Sequence, residues 1–229
     1  GKVYYIQPAS ETPSINGILD DPVWSSISPI TDFVQEEPDN MAKPTEQMEV
    51  YLTYNDRYIY IAARLYDSDP SGIARQLAPR DDWYAAFDDQ ADWFSIDLDS
   101  RHDHQTAFSF AVNASGVISD EMVYNDADYD TDWNAIWNAA VQITEIGWII
   151  ELEIPFSKTF LVSLGWASFF YPPQEAGGPI FAIGELEESI WHILCGRVHF
   201  GRPRVVGRWA SGGKGRLFGG RRKSRKQAG

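Results

Sequence analysis

Apolar and polar residues alternate along most of the first 157 positions, and a period of two marks strands with one face in a core. Val50, Leu52 and Tyr54 alternate with Glu49, Tyr51 and Thr53. Asn55-Asp56-Arg57 supplies turn chemistry, after which Ile59, Ile61, Ala63 and Leu65 alternate with Tyr58, Tyr60, Ala62 and Arg64. This predicts a hairpin with one apolar face. Phe94, Ile96 and Leu98 alternate with Trp93, Ser95, Asp97 and Asp99. Phe108, Phe110 and Val112 form a further inward row, and Ala114-Ser115-Gly116 turns that strand into Val117-Ile118-Ser119. Val141 and Ile143 lead through Glu145-Ile146-Gly147 to Trp148, Ile150, Leu152 and Ile154, with Glu151 and Glu153 on the opposite face. Helical periodicity is weak apart from a short turn near residues 70–76, and no internal repeat is found. The pattern predicts an all-β fold, an antiparallel β-sandwich spanning about residues 10–157.

The 229 residues suit one or two domains, and 44% hydrophobic with 23% charged residues is globular composition that excludes wholesale disorder. A net charge of -14 argues against a chain-wide nucleic-acid binder, which needs clustered Lys and Arg. The single cysteine, Cys195, excludes an internal disulfide and every multi-cysteine zinc site. No apolar run approaches the roughly 18 residues of a membrane-spanning helix. The sequence starts at Gly1 with no basic-then-apolar leader, as a mature or excised piece would; an export signal cannot be read either way.

Charge divides the chain. Residues 1–159 hold 29 Asp and Glu against 8 Lys and Arg, a balance of -21, whereas residues 160–229 hold 4 against 11, or +7. The expected organisation is a patterned domain over 1–158 and a basic Gly/Arg-rich tail over 159–229 that ends in Arg221-Arg222-Lys223-Ser224-Arg225-Lys226. That tail reads either as a non-homologous, frame-shifted segment or as a divergent basic extension. In both cases the sandwich is expected to be incomplete at its C-terminal end.

Four motifs occur in order. Ile15-Asn16-Gly17-Ile18-Leu19-Asp20-Asp21-Pro22-Val23-Trp24 resembles the opening signature of the family 9 carbohydrate-binding modules and their relatives. The stretch from Asp56 to Arg64 resembles that family's next element, Asp92-Trp93-Phe94-Ser95-Ile96-Asp97-Leu98-Asp99 its central strand, and the stretch from Gly147 to Phe156 its late hairpin strand. Arg80-Asp81-Asp82, Phe110-Ala111-Val112-Asn113 and Ser115-Gly116-Val117 resemble a subgroup that precedes an outer-membrane-type β-barrel in bacterial envelope proteins. The resemblance covers roughly residues 12–157. It implies a jelly-roll-like sandwich that binds poly- or oligosaccharide without catalysis, in glycan capture or carbohydrate catabolism. It also implies a periplasmic, outer-membrane-associated or extracellular location and, in the intact parent protein, a C-terminal β-barrel. The alternative is an interaction module of such a barrel protein with no sugar affinity; a glycoside hydrolase is the third reading. Better-studied members of the family clamp a sugar between two aromatic rings and hold structural calcium, and past Lys158 the resemblance ends.

Sugar binding needs flat rings to stack on C–H faces and planar polar groups for hydroxyls. Trp24, Trp137 and Trp148 lie on core positions. The better candidates for carbohydrate contact are Trp83 and Tyr84 in a charged loop, Trp93 on an outward face, Trp133 in an acidic loop, and Arg80 and Asp97; for each ring the alternative is burial against neighbouring loops. Asp126, Asp128, Asp130 and Asp132 place carboxylates at every second position, which suits either an oxygen-rich Ca²⁺ site or a solvated acidic loop. Asp88, Asp89 and Asp92 form a second acidic group, and His102-Asp103-His104 reads as a transition-metal site or a polar turn. No nucleophile elbow, phosphate loop or zinc-protease motif appears, and no carboxylate pair stands in a visibly apolar setting, so no catalytic residue is assigned.

Overall fold

A computed structural model describes residues 3–34, 42–87, 90–100, 105–125, 128–157 and 181–184. The strands are β1 (Val3–Pro8), β2 (Met48–Tyr54), β3 (Tyr58–Tyr66), β4 (Trp93–Leu98), β5 (Ala107–Asn113), β6 (Ile118–Tyr124), β7 (Asp128–Asp130), β8 (Asn138–Thr144), β9 (Gly147–Pro155) and β10 (Phe181–Gly184). They form a six-stranded sheet in the order β10-β1-β2-β3-β9-β8 and a four-stranded sheet in the order β4-β5-β6-β7. Every pairing is antiparallel except the short parallel contact of Gln7 and Pro8 with Thr53 and Tyr54. The predicted all-β sandwich is what the chain forms. Of the 159–229 segment, the described part is β10, which lies beside β1.

The period-2 rows become the core. Val50, Leu52, Ile59, Ile61, Leu65, Trp148, Ile150, Leu152 and Ile154 face Phe94, Ile96, Leu98, Phe108, Phe110 and Val112 in one continuous cluster. Each such side chain contributes about 1.5–3 kcal/mol on burial, which makes this row-on-row contact the main stabilising term. Trp24, Trp137 and Trp148 are buried, as their positions predicted.

The hairpins follow their turn residues. Asn55 accepts from the N–H groups of Arg57 and Tyr58 through its side chain, both at 2.9 Å, and so turns β2 into β3. Asn113 does the same for β5 and β6, accepting from Ser115 at 2.9 Å and Val117 at 3.0 Å. The expected turn near residues 70–76 is one 3₁₀ turn, Pro70–Gly72. Two single-turn helices depart from the strand reading: α1 (Pro22–Ser25), with Pro22 in its first turn, and α2 (Trp83–Ala86), whose N-cap Asp82 accepts from Ala85. Both are too short to show a 3.6-residue period in the sequence.

Gly147 starts β9 with φ of 139°, and a Cβ there would lie 1.9 Å from the Leu65 carbonyl oxygen. Gly116 also has positive φ, but a Cβ at that position would meet nothing within 4 Å. Gly147→Ala is therefore expected to cost about 3 kcal/mol or more, and Gly116→Ala only about 1–2 kcal/mol, in urea unfolding. Equal losses for the two variants would show that the close approach at Leu65 is not the constraint.

Candidate functional site

The two outer faces of the sandwich differ. On the six-stranded sheet, the segment of residues 9–27 lies over β3 and β9, burying Val23 and Trp24 against Tyr60 and Ala62. It is held by Glu151 of β9, which is fully buried. Glu151 accepts from the backbone N–H of Asn16 at 2.8 Å, that of Gly17 at 2.7 Å and the Trp24 indole at 2.8 Å. Burial pushes its carboxyl above the usual range, and these three donors pull it back. The opening motif is thus a cradle for one carboxylate.

The four-stranded sheet is covered only in part. Asp120 of β6 is buried and accepts from Arg80, from the Ala135 N–H at 2.6 Å and from the Trp137 indole at 3.1 Å. Arg80 also donates to the Ala135 carbonyl at 2.8 Å and pairs with Asp81 at 3.2 Å. Asp81, with φ of 64°, donates to the Ile118 carbonyl and accepts from the Asp120 N–H, so it completes the edge of β6 where β7 does not reach. Arg80 therefore serves the loop as a clamp on Asp120.

Next to this clamp, α2 rests on the outer face. Trp83 stacks on Phe87 at 4.8 Å and meets Trp93 edge-on at 5.1 Å. The side chain of Asn113 donates to the carbonyls of Gln76 and Ala86 and ties this segment down. Trp93 does face away from the main core, as the alternation predicted, but it is only 6% exposed because α2 and Phe87 cover it. Trp83 is half-buried, whereas Tyr84 beside it is 83% exposed. Trp133 is not a free loop ring: it packs at 4.9 Å on Phe108 and at 5.9 Å on Phe110 against the main core.

Strand register then defines a furrow. Asp97 of β4 pairs with Ser109 of β5, and Ser109 with Glu121 of β6, so the three share one row on the outer face. All three are half-buried. On one side the row of Ser95, Ala111 and Ser119 is buried; on the other, Ala107 and Val123 are buried, with Asp99 just beyond β4. The result is a half-open polar strip between two closed rows. Glu121 has no hydrogen bond or ion pair among the described residues, and its carboxyl is pushed up to about 7, by burial first and then by the negative charges of Asp97 and Asp81. The sequence pattern pointed to Asp97 and not to Ser109 or Glu121. The β5–β6 turn fixes that pairing and was the signal available.

The acidic groups fare differently. Asp92 is buried and accepts from the Ala74 N–H at 2.9 Å, so it is structural. Asp130 and Asp132 line an open hollow of about 360 Å³ together with Met122, Tyr124, Tyr129 and Thr131, and Asp128 is an exposed residue of β7 paired with Tyr124. Among the described residues no three carboxylates, histidines or cysteines come together as a metal site. Asp126, Asp88, Asp89 and His102-Asp103-His104 lie outside the described residues. No helix among the described residues is long and apolar enough to cross a membrane.

Fold and site together define a two-sheet β-sandwich with a polar furrow on one outer face. No protein-family model and no curated protein matches the chain. Solved structures do. A candidate carbohydrate-binding protein from Bacteroides uniformis is 15% identical, with a TM-score of 0.51 over 70% of this chain and 75% of that one. A family 9 carbohydrate-binding module from Caldicellulosiruptor kristjanssonii is also similar. Its complex with cellotriose gives 19% identity and a TM-score of 0.46 over 67% of this chain and 68% of that one. Its complex with glucose gives 18% and 0.46, over 66% and 69%. The first of these similarities shows a shared fold.

Because Glu121 holds its proton more tightly when folded, its contribution to stability is complete below the ordinary value of 4.5 and is lost as pH rises towards about 7. Glu121→Gln is expected to raise stability at pH 8 by about 1–2 kcal/mol, after discounting for solvent screening, with little change near pH 4. Denaturant unfolding across this range is the check. A variant as destabilised at high pH as at low pH would mean that the carboxylate is well solvated.

Proposed function

We propose that this chain is a non-catalytic carbohydrate-binding module whose saccharide lies along the Asp97–Ser109–Glu121 furrow. The observation that carries the reading is that strip of half-open acceptors between two buried rows of the four-stranded sheet, with the Trp83–Tyr84 turn resting on the same sheet through Trp93 and Ala111. Hydroxyl-rich ligands are bound by such a combination of hydrogen-bonding groups and flat rings. The shared fold with the Bacteroides uniformis protein and the four ordered motifs support it. The motif resemblance also supports placing the module at the bacterial envelope, periplasmic or extracellular, with an outer-membrane-type barrel as neighbour in the intact protein. Calcium belongs to the reading only at the 126–132 loop, on the spacing of its carboxylates.

The first test is a glycan array with the folded chain, followed by titration calorimetry. Binding of an oligosaccharide is expected, weakened about tenfold or more by Ser109→Trp, which fills the furrow floor, and several-fold by Tyr84→Ala, with melting temperature unchanged for the latter. No binding at millimolar concentration would turn the reading to an interaction module without sugar affinity, and release of reducing sugar from a polysaccharide would turn it to a hydrolase.

The calcium reading has a separate test. Calcium at constant ionic strength is expected to raise the melting temperature, EDTA to lower it, and the joint variant Asp128→Ala, Asp130→Ala to remove the response. An equal rise with sodium chloride means that the loop is only screened.

A further inference from the structure

Among the described residues, β8 is an open edge of the six-stranded sheet. Which of its backbone groups face outwards follows from the register. The Asp67 N–H donates to the Ile146 carbonyl and the Phe156 N–H to the Arg57 carbonyl, so the even-numbered residues of β9 turn their backbone groups towards β3. Its odd-numbered residues therefore bond to β8, through Thr144, Gln142, Ala140 and Asn138. That leaves the N–H and C=O groups of Ala139, Val141 and Ile143 pointing away from the sheet, with no strand beside them among the described residues. Proteins commonly protect such an edge with charge, proline, a bulge or brevity. The other sheet does so: β7 is three residues long with Asp128 and Asp130 at its ends, and β4 carries Asp97. The seven residues of β8, Asn-Ala-Ala-Val-Gln-Ile-Thr, include no charge, glycine or proline.

The edge is also complementary to itself. A two-fold axis through Val141 that sets two copies of β8 antiparallel brings Val141 opposite Val141, Ala139 opposite Ile143 and Asn138 opposite Thr144. The outward-facing residues then form the hydrogen-bonded pairs, and all of their free N–H and C=O groups are met. Ala139, Val141 and Ile143 pack on the margin of the core, so the same pairing carries its apolar row across the axis. Beyond the strand ends, Ile136, 80% exposed, comes to the end where the second copy presents Ile146, 54% exposed. The first charge after β8, Glu145, falls opposite Trp137, so no like charges meet along this stretch. We propose that the chain forms a symmetric dimer through β8, two copies adding edge to edge in this register to make one continuous sheet. The furrow lies on the other sheet and takes no part.

The experiment is analytical ultracentrifugation of the full chain from about 1 to about 100 μM, and a monomer–dimer equilibrium is expected within that range. Ala139→Pro removes an N–H that serves nothing within one copy. It should therefore leave circular dichroism and the melting temperature of the dilute monomer unchanged, while raising the dissociation constant about tenfold or more. Ile136→Lys with Ile146→Lys sets like charges opposite each other at both ends and should weaken association to a similar degree. Ile136→Lys with Ile146→Glu sets opposite charges there and should restore it to within about threefold of the native chain. Both positions are exposed, so these two variants decide the matter if Ala139→Pro fails to fold. A monomer at every concentration overturns the proposal. So does a dimer that neither Ala139→Pro nor the double lysine variant weakens, because it uses another surface. Equal association of the two charge variants overturns the register.

Discussion

A carboxylate taken out of water has to be met by donors, and Glu151 is where this chain meets that demand. It stands in the middle of β9 on the face turned away from the core, where an ordinary surface glutamate would be solvated. Instead it is fully buried, and its oxygens take the N–H groups of Asn16 and Gly17 and the indole of Trp24. Removing water from a carboxylate costs several kcal/mol unless donors replace it, so the segment of residues 9–27 is held to one position over the sheet. Gly17 is needed in that position for two reasons. Its φ is 83°, and a Cβ would come within 3.1 Å of the Val141 backbone. One charge thus converts a stretch with no strand or long helix of its own into a fixed cover. It also closes the outer face of the six-stranded sheet over β3 and β9.

The same device recurs at two points on that opposite sheet. Asp120 collects Arg80, Ala135 and Trp137, and Asn113 collects the hairpin turn on one side and the Gln76 and Ala86 carbonyls on the other. Each is a buried polar side chain whose bonds run to loops far away in sequence. The loops that frame the furrow are therefore positioned by polar anchors rooted in strands, which is how a rigid scaffold holds a binding surface. This also explains the fate of Arg80. A guanidinium next to a buried carboxylate is worth more as its partner than as a free hydrogen-bonding arm.

The strands were legible because their faces differ in polarity at every second residue, and the core rows at Ile59, Phe94, Phe108 and Trp148 needed no tertiary information. The hairpin turns were legible because Asn55 and the stretch from Asn113 to Gly116 carry their own local bonding. What the sequence could not show was the second layer of cover. Trp93 reads as outward from its neighbours and is outward, yet α2 lies over it, and nothing in a one-turn helix announces where it will rest. Trp133 reads as a loop residue for the same reason, because its partners Phe108 and Phe110 come from β5. Glu151 and Glu153 look alike in the pattern. Only the position of the opening motif distinguishes the buried one from its neighbour, which meets Asn138 in an exposed contact.

Glu121 is the exception that the other anchors throw into relief. Glu151, Asp120, Asp92 and Asn113 are all buried with bonding partners supplied by the protein, and such satisfaction is what makes a polar interior compatible with stability. Glu121 is half-buried, without a donor among the described residues, and close enough to Asp97 and Asp81 for their charges to act on it. Register, rather than any single motif, brings Asp97, Ser109 and Glu121 into line: a one-residue slip of β6 would turn Glu121 into the core and dismantle the strip.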